Sequence, residues 1–266
     1  MNFFWSLLIF AAFCAECTWA RVAANPFVDQ QLTPKGRITG GTNARKGEIP
    51  WQVSLQKRGY HFCGGTIVDR EHIVTAAHCS QGLVLGRTSI TVVAGSIHKD
   101  NGIRVGVRSI KIHPDYVRSS QGYDIAVWEV DPSFIWSVNI NPVRIANSRV
   151  KDGWLMTLSG WGKTDQSVDR LPDYLQKVEV GIVNIDLCNA LYMEKHHMSI
   201  FENQICAGGR GKDACFGDSG GPLVKDGVLH GIVSWGDSDC VSVPGIYTEV
   251  ASFATWINSS IVRDSK

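Results

Sequence analysis

The chain has 266 residues, of which 44% are hydrophobic and 19% charged, and its formal net charge is +1 at pH 7. That composition belongs to an ordinary globular protein with enough chain for a sizeable core. Once the first 37 residues are set aside, acids and bases balance, so charge gives no support to a nucleic-acid binder or a protein held at an anionic membrane.

The N-terminal stretch "MNFFWSLLIFAAFCAECTWA" carries an apolar run from residue 3 to about 15, followed by small residues at Thr18 and Ala20. A short apolar core with small residues at −3 and −1 predicts a secretory signal peptide, residues 1–20, cut after Ala20; Ala15 is a second candidate site. The run is too short to span a bilayer. The signal would remove Cys14 and Cys17, leaving Cys63, Cys79, Cys188, Cys206, Cys215 and Cys240. An even number in a secreted chain points to three disulfides, with all fifteen pairings open on arithmetic alone. Among these six no CxxC pair stands at zinc-ligand spacing, so no metal is expected.

The elements that follow read as β. "WQVSLQ", "ITVVAG", "YDIAVWEV" and "GIVSWG" are short, rich in β-branched and aromatic residues, and bounded by turn formers. Residues 139–153, "NINPVRIANSRVKDG", look like a crossing between two halves. Only the end looks helical, where Val250, Phe253, Trp256, Ile257 and Ile261 recur at helical spacing. Many short strands argue for barrels or sandwiches.

The chemistry gathers around "GKDACFGDSGGPLV", residues 211–224, where glycines and two aspartates crowd Ser219. A serine hydroxyl is a poor nucleophile without a base to take its proton and donors to stabilise the oxyanion. "VTAAHCS" offers His78, and "GYDIAVWEV" offers Asp124. Taken singly, such a histidine is usually structural, such an aspartate a turn residue, and GDSGG a glycine-rich loop. Three together in the order His, Asp, Ser are another matter.

With "RITGG", "PWQVSL", "HFCGGTIV", "TAAHC", "YDIAV", "SGWG", "ICAGG", "DACFGDSGGPLV", "IVSWG" and "PGIYTEV" in order along the chain, the sequence resembles the trypsin-like serine proteases of the chymotrypsin family. The resemblance covers residues 38 to about 262. It implies an all-β fold of two antiparallel six-stranded β-barrels packed together, with a C-terminal helix. It makes residues 38–266 the protease domain and residues 21–37 an activation peptide.

By matching motif, the resemblance implies Ser219 as nucleophile, His78 as general base and then acid, and Asp124 as the group orienting the imidazole. The N–H groups of Gly217 and Ser219 would form the oxyanion hole. Asp213 would sit at the base of the substrate pocket and bind Arg or Lys at P1, the residue preceding the cleaved bond, with Ala214 beside it. Ser234, Trp235 and Gly236 would line the substrate site with Gly245, the two glycines keeping the pocket open and Ser234 supporting Asp124. Cleavage after Arg37 would free the amine of Ile38 to pair with Asp218. The implied disulfides are Cys63–Cys79, Cys188–Cys206 and Cys215–Cys240. The implied partners are protein or peptide substrates with Arg or Lys at P1, and protein inhibitors. No cofactor, nucleic acid or membrane enters the reading, and the product is a secreted monomer.

Several residues depart from the family pattern. "GSIHKDNGIRV" has Asp100 as its only acid, too few oxygen ligands for the family's calcium loop. Pro244 replaces the aromatic of sodium-sensitive relatives, so no sodium effect is expected. Phe216 and Asp239 are unusual at the cleft mouth and pocket rim. "NALYMEKHHMSIFENQ", with His196 and His197, reads as a long solvated loop, and Asn258-Ser259-Ser260 is a glycosylation sequon. Two other classes stay open: a catalytically silent homologue that only binds, which the intact His78, Asp124, Ser219 and Gly217 oppose, and a cascade protease with one partner. The plain 17-residue propeptide favours a digestive or general protease over the latter.

Overall fold

The computed structural model describes residues 40–164, 167–209, 211–240 and 242–262. The predicted signal and activation peptides, with Arg37 and Ile38, lie outside the described residues. Among the described residues the first element is a short strand, β1 (Thr42–Asn43). Six strands follow: β2 (Gln52–Lys57), β3 (Tyr60–Ile67), β4 (His72–Thr75), β5 (Ile90–Ala94), β6 (Ile103–Ile112) and β7 (Ala126–Asp131). They close on themselves in the order β2-β3-β4-β7-β6-β5, every pairing antiparallel.

Between residues 132 and 154 the chain passes to a second unit, forming on the way β8 (Arg144–Ile145). Then come β9 (Leu155–Gly160), β10 (Gln176–Val183), helix α1 (Ile185–His196), β11 (Gln204–Ala207), β12 (Pro222–Lys225), β13 (Val228–Trp235) and β14 (Gly245–Glu249). The ring β9-β10-β11-β14-β13-β12 closes through antiparallel pairs back to β9. β1 adds antiparallel to β10, and β8 adds parallel to β13. The protein is therefore two closed six-stranded antiparallel barrels, as the resemblance implies.

Side-chain alternation explains the strands. In β10, "QKVEVGIV", Gln176, Val178, Val180 and Ile182 are buried while the residues between them are less so, the period-two pattern of a strand with one face on a core. The first barrel buries Val53, Leu55, Ile67, Ile73, Val92 and Trp128; the second buries Met156, Leu158, Val180, Ile205, Leu223 and Tyr247. Each such side chain stabilises the fold by about 1.5–3 kcal/mol. After β14 a 3-10 turn (Val250–Phe253) leads into helix α2 (Ala254–Ile261). Val250 and Phe253 of the turn and Ile257 of α2 join the apolar cluster of the first barrel, so the end of the chain is tied back onto the first barrel.

The stretch containing His196 and His197 is not the loop that the sequence suggests. Residues 185–196 form α1, capped by the Asn184 side chain, which accepts from the Asp186 and Leu187 N–H groups at 3.1 and 3.2 Å. The left-handed His197, φ 54°, ends it. The helix buries only Cys188 and Tyr192, so no apolar stripe marks it in the sequence. Asn258 is exposed on α2. Among the described residues no helix is long and apolar enough to cross a membrane.

Candidate active site

His78 follows β4 on a turn that two contacts fix. Thr75 Oγ1 donates to Gly64 O at 2.8 Å, and a disulfide joins Cys79 to Cys63 on β3. Asp124 stands just before β7 and is fully buried. The His78 backbone N–H donates to Asp124 Oδ1 at 2.8 Å, and His78 Nδ1 lies 2.7 Å from Oδ2. A carboxylate only accepts, so Nδ1 carries the proton and Nε2 is left as the basic nitrogen. The second barrel holds the same aspartate: Ser234 Oγ donates to Oδ2 at 2.6 Å, and Thr248 Oγ1 to the main-chain oxygen at 2.8 Å. Burial pushes the Asp124 carboxyl upward, but the hydrogen bonds and charge of His78, with Ser234, outweigh it and hold the group below the usual carboxylate range.

Ser219 lies on the turn between β11 and β12. Its carbonyl accepts from Gly64 N at 2.8 Å, next to the Cys63–Cys79 bridge. A Cβ on Gly220 would overlap Thr75 Oγ1 and sit 2.6 Å from Gly64 O. The serine turn is thus pressed against the segment that leads to His78, which is 26% exposed in the cleft. Among the described residues no hydrogen bond yet joins Ser219 Oγ to His78; Nε2 contacts Cys79 Sγ at 3.6 Å. Catalytic hydrogen bonds are often long or poorly aligned in substrate-free enzymes and tighten in the complex.

The backbone around Ser219 is set by features the sequence hides. Gly217 has φ 102°, a region closed to most residues, and a Cβ there would come within 3.1 Å of Gly162 Cα and Leu171 Cδ2. Its carbonyl is held by His61 Nε2 at 2.9 Å, while His61 Nδ1 faces Ser54 Oγ at 2.8 Å. Burial lowers the His61 pKa, so the ring is neutral: Nε2–H donates to the carbonyl and Nδ1 accepts from the hydroxyl. Among the described residues the Gly217 and Ser219 N–H groups have no acceptor. They remain free to stabilise an incoming oxygen.

Asp218 is fully buried, and its carboxylate accepts from Gly162 N at 2.7 Å and Cys215 N at 3.0 Å. Gly160 and Gly162 make its room, for a Cβ on either would overlap the carboxylate. Burial raises its pKa to about 6 against those two donors.

A cavity of about 400 Å³ opens beside Ser219, with Asp213 in its lining and Trp235, Gly236, Gly245 and Tyr247 around it. Asp213 is 2% exposed and accepts from Ala214 N at 2.7 Å and Tyr247 OH at 3.2 Å. Burial pushes its pKa to about 8, though the Ala214, Tyr247 and Gly245 donors pull it down; the nearby Asp218 charge adds to the rise. A side chain on Gly245 would overlap Asp213 Oδ1. Ser234 and Ala214 also line the cavity, and Phe216, 56% exposed, stands at its edge. Cys215 and Cys240 are joined beside it, and Cys188 and Cys206 tie α1 to β11. The only cluster of metal-ligand atoms among the described residues is Cys63, His78 and Cys79, and its two sulfurs are bonded to each other.

The trypsin family profile matches residues 38–257. Trypsin delta of Drosophila erecta is 41% identical over 234 residues, 86% of this chain and 91% of that protein. Trypsin alpha of Drosophila melanogaster is 39% identical over 237 residues, covering 88% and 91%. Hypodermin-B of Hypoderma lineatum is 37% identical over 226 residues, covering 85% and 88%. Fold, site geometry and these likenesses agree, and the chain belongs to the trypsin-like serine proteases of the chymotrypsin family.

Proposed function

We propose that this serine endopeptidase is secreted as a zymogen and hydrolyses peptide bonds after Arg or Lys through an acyl-enzyme. Ser219 Oγ attacks the substrate carbonyl carbon, and its proton passes to His78 Nε2. The carbonyl electron pair moves onto oxygen, where the Gly217 and Ser219 N–H groups stabilise the charge; one such donor is worth roughly 2.7–4 kcal/mol in a comparable site. The tetrahedral adduct collapses, the C–N bond breaks, and the leaving amine takes the proton from Nε2. Water then attacks the ester by the same route and frees Ser219. Asp124 keeps the imidazole in the reactive tautomer and stabilises the imidazolium.

The observation that carries the specificity is a buried carboxyl, Asp213, in the lining of the cavity that Ser219 also lines. Such a group calls for a cation, and the side chain of Arg or Lys reaches it from P1. Asp218 supports the zymogen reading. It is a buried carboxylate with only backbone donors among the described residues, and the amine of Ile38, freed by cleavage after Arg37, is a fitting partner. Three disulfides accord with export to an oxidising compartment. A monomer acting on protein or peptide substrates, and open to protein inhibitors, completes the reading. Cleavage of a diverse peptide library by the activated enzyme tests it. Cuts should follow Arg and Lys; a majority after neutral residues would overturn the role given to Asp213.

A further inference from the structure

Between β13 and β14, Gly236, Asp237, Ser238 and Cys240 form one wall of the cavity. The contacts within the wall are short-range: Ser238 Oγ donates to Asp237 Oδ1 at 3.3 Å and Ser242 N to Asp239 Oδ1 at 3.0 Å. Cys240 is bonded to Cys215, and Cys240 N donates to Asp237 O at 3.1 Å. The other hold comes from outside. Lys195, in the last turn of α1, reaches across and donates to both Asp237 Oδ2 and Ser242 Oγ. Asp239 Oδ2 lies 3.7 Å from the same ammonium. The Asp237 side chain is only 8% exposed and also accepts from Ser242 Oγ at 2.9 Å. The helix end is itself fixed, through Cys188–Cys206 to β11 and through Tyr192 OH, which donates to Pro244 O at 2.7 Å.

We propose that Lys195 is a positioning residue for the primary pocket: it is placed to touch no substrate atom, yet through Asp237 and Ser242 it holds the wall at residues 236–240 in the form that admits a cationic side chain. This deepens, and rests on, the reading of Asp213 as the P1 acid. An isolated pair on a 39% exposed lysine adds little to global stability. Here, however, one ammonium fastens two points of one loop, and its carboxylate partner is nearly buried. Without it, Asp237 would lose its ammonium partner and keep His196 Nε2 at 3.4 Å and the Ser238 and Ser242 hydroxyls; a carboxylate so little exposed would then turn outward. Gly236, lacking a side chain, offers little resistance to that movement.

A purely electrostatic role predicts the opposite sign. Lys195 brings a positive charge to the mouth of a pocket meant for cations. If it acted only through its field, removing it would tighten cation binding. If it positions the wall, removing it weakens binding in spite of the added negative charge, because the competent form is populated less of the time.

The test uses active-site-titrated enzyme, benzamidine as a small cationic probe, and an Arg amide substrate. Lys195→Met should weaken benzamidine binding and raise KM by about tenfold, as for a loop competent about a tenth of the time. The kcat of bound substrate should change by less than about twofold, and Lys195→Arg should restore most of the affinity. Unchanged or tighter binding in Lys195→Met would overturn the inference. So would equal losses in kcat and affinity, the mark of general damage to the fold. Asp213→Asn separates the two readings: if it binds benzamidine as well as the wild type, the P1 assignment itself fails.

Discussion

Consider Asp213→Asn. The wild-type carboxyl titrates near pH 8 in the folded protein, because it is buried, against about 3.9 in an unfolded chain. Below about pH 4 both states hold the proton, and the acid contributes its full stability. From pH 4 to 8 the unfolded chain releases the proton while the folded chain keeps it, so that stability is progressively lost. Each pH unit in this window takes away about 1.4 kcal/mol, which reaches about 4 kcal/mol at pH 7. At 2% exposure, solvent screens little of this. Asparagine cannot ionise, so the variant should gain on the wild type as pH rises and level off above about pH 8. Its extra N–H donors, if unpaired, cost about 1–3 kcal/mol; they shift the difference without changing its slope. The assay is denaturant unfolding at several pH values between 4 and 9, in a Ser219→Ala background that prevents self-digestion. A difference between the two proteins that is flat in pH would refute the reasoning. The same change should cut kcat/KM on Arg substrates by about 10²–10⁴, two lost hydrogen bonds to a charge.

Three further outcomes are expected. Ser219→Ala should abolish peptide hydrolysis while leaving the circular dichroism spectrum intact; near-normal kcat in a processed variant would remove Ser219 from the mechanism. Arg37→Gln should yield an uncleaved and inactive secreted protein, checked by N-terminal sequencing beside an activity assay, and full activity without cleavage would sink the zymogen scheme. Ala214 cannot accept a hydrogen bond from a bound ammonium, so matched amide substrates should show Arg preferred over Lys by about tenfold, near 1.4 kcal/mol. Ala214→Ser should narrow that gap, and equal rates in the parent would point to Phe216 or Asp239 instead.

Much of the scaffold can be read from the chain because strand signals are local. "WQVSLQ" and "ITVVAG" announce β2 and β5 through their β-branched residues, and the spacing from Val250 to Ile261 announces the last turns of the chain. Helix α1 gives no such sign, since its two buried residues, Cys188 and Tyr192, make no stripe. The site divides in the same way. Ser219, His78 and Asp124 stand in recognisable stretches, but His61 reaches a carbonyl far away in sequence, that of Gly217. Nothing near "HFCGG" shows this. Tyr247 likewise reveals its hydroxyl's task only when the barrel brings it to Asp213. Gly160 and Gly162 are visible as part of "SGWG", yet the reason for them, space for the Asp218 carboxylate, exists only in three dimensions.

Asp124 takes its partners from both barrels: His78 belongs to the first, Ser234 and Thr248 to the second. The chain is made from its N-terminus, so the half carrying His78 and Asp124 emerges from the ribosome well before Ser219 exists. On the mechanism proposed above, a ribosome-bound fragment would own the base and the carboxylate but no nucleophile, and its aspartate would lack the Ser234 hydroxyl that steadies it. Hydrolytic capacity would then require the later half to fold against the earlier one before any cleavage after Arg37 could switch it on. On that reading a truncated or half-folded copy would carry no hydrolytic activity toward the proteins around it.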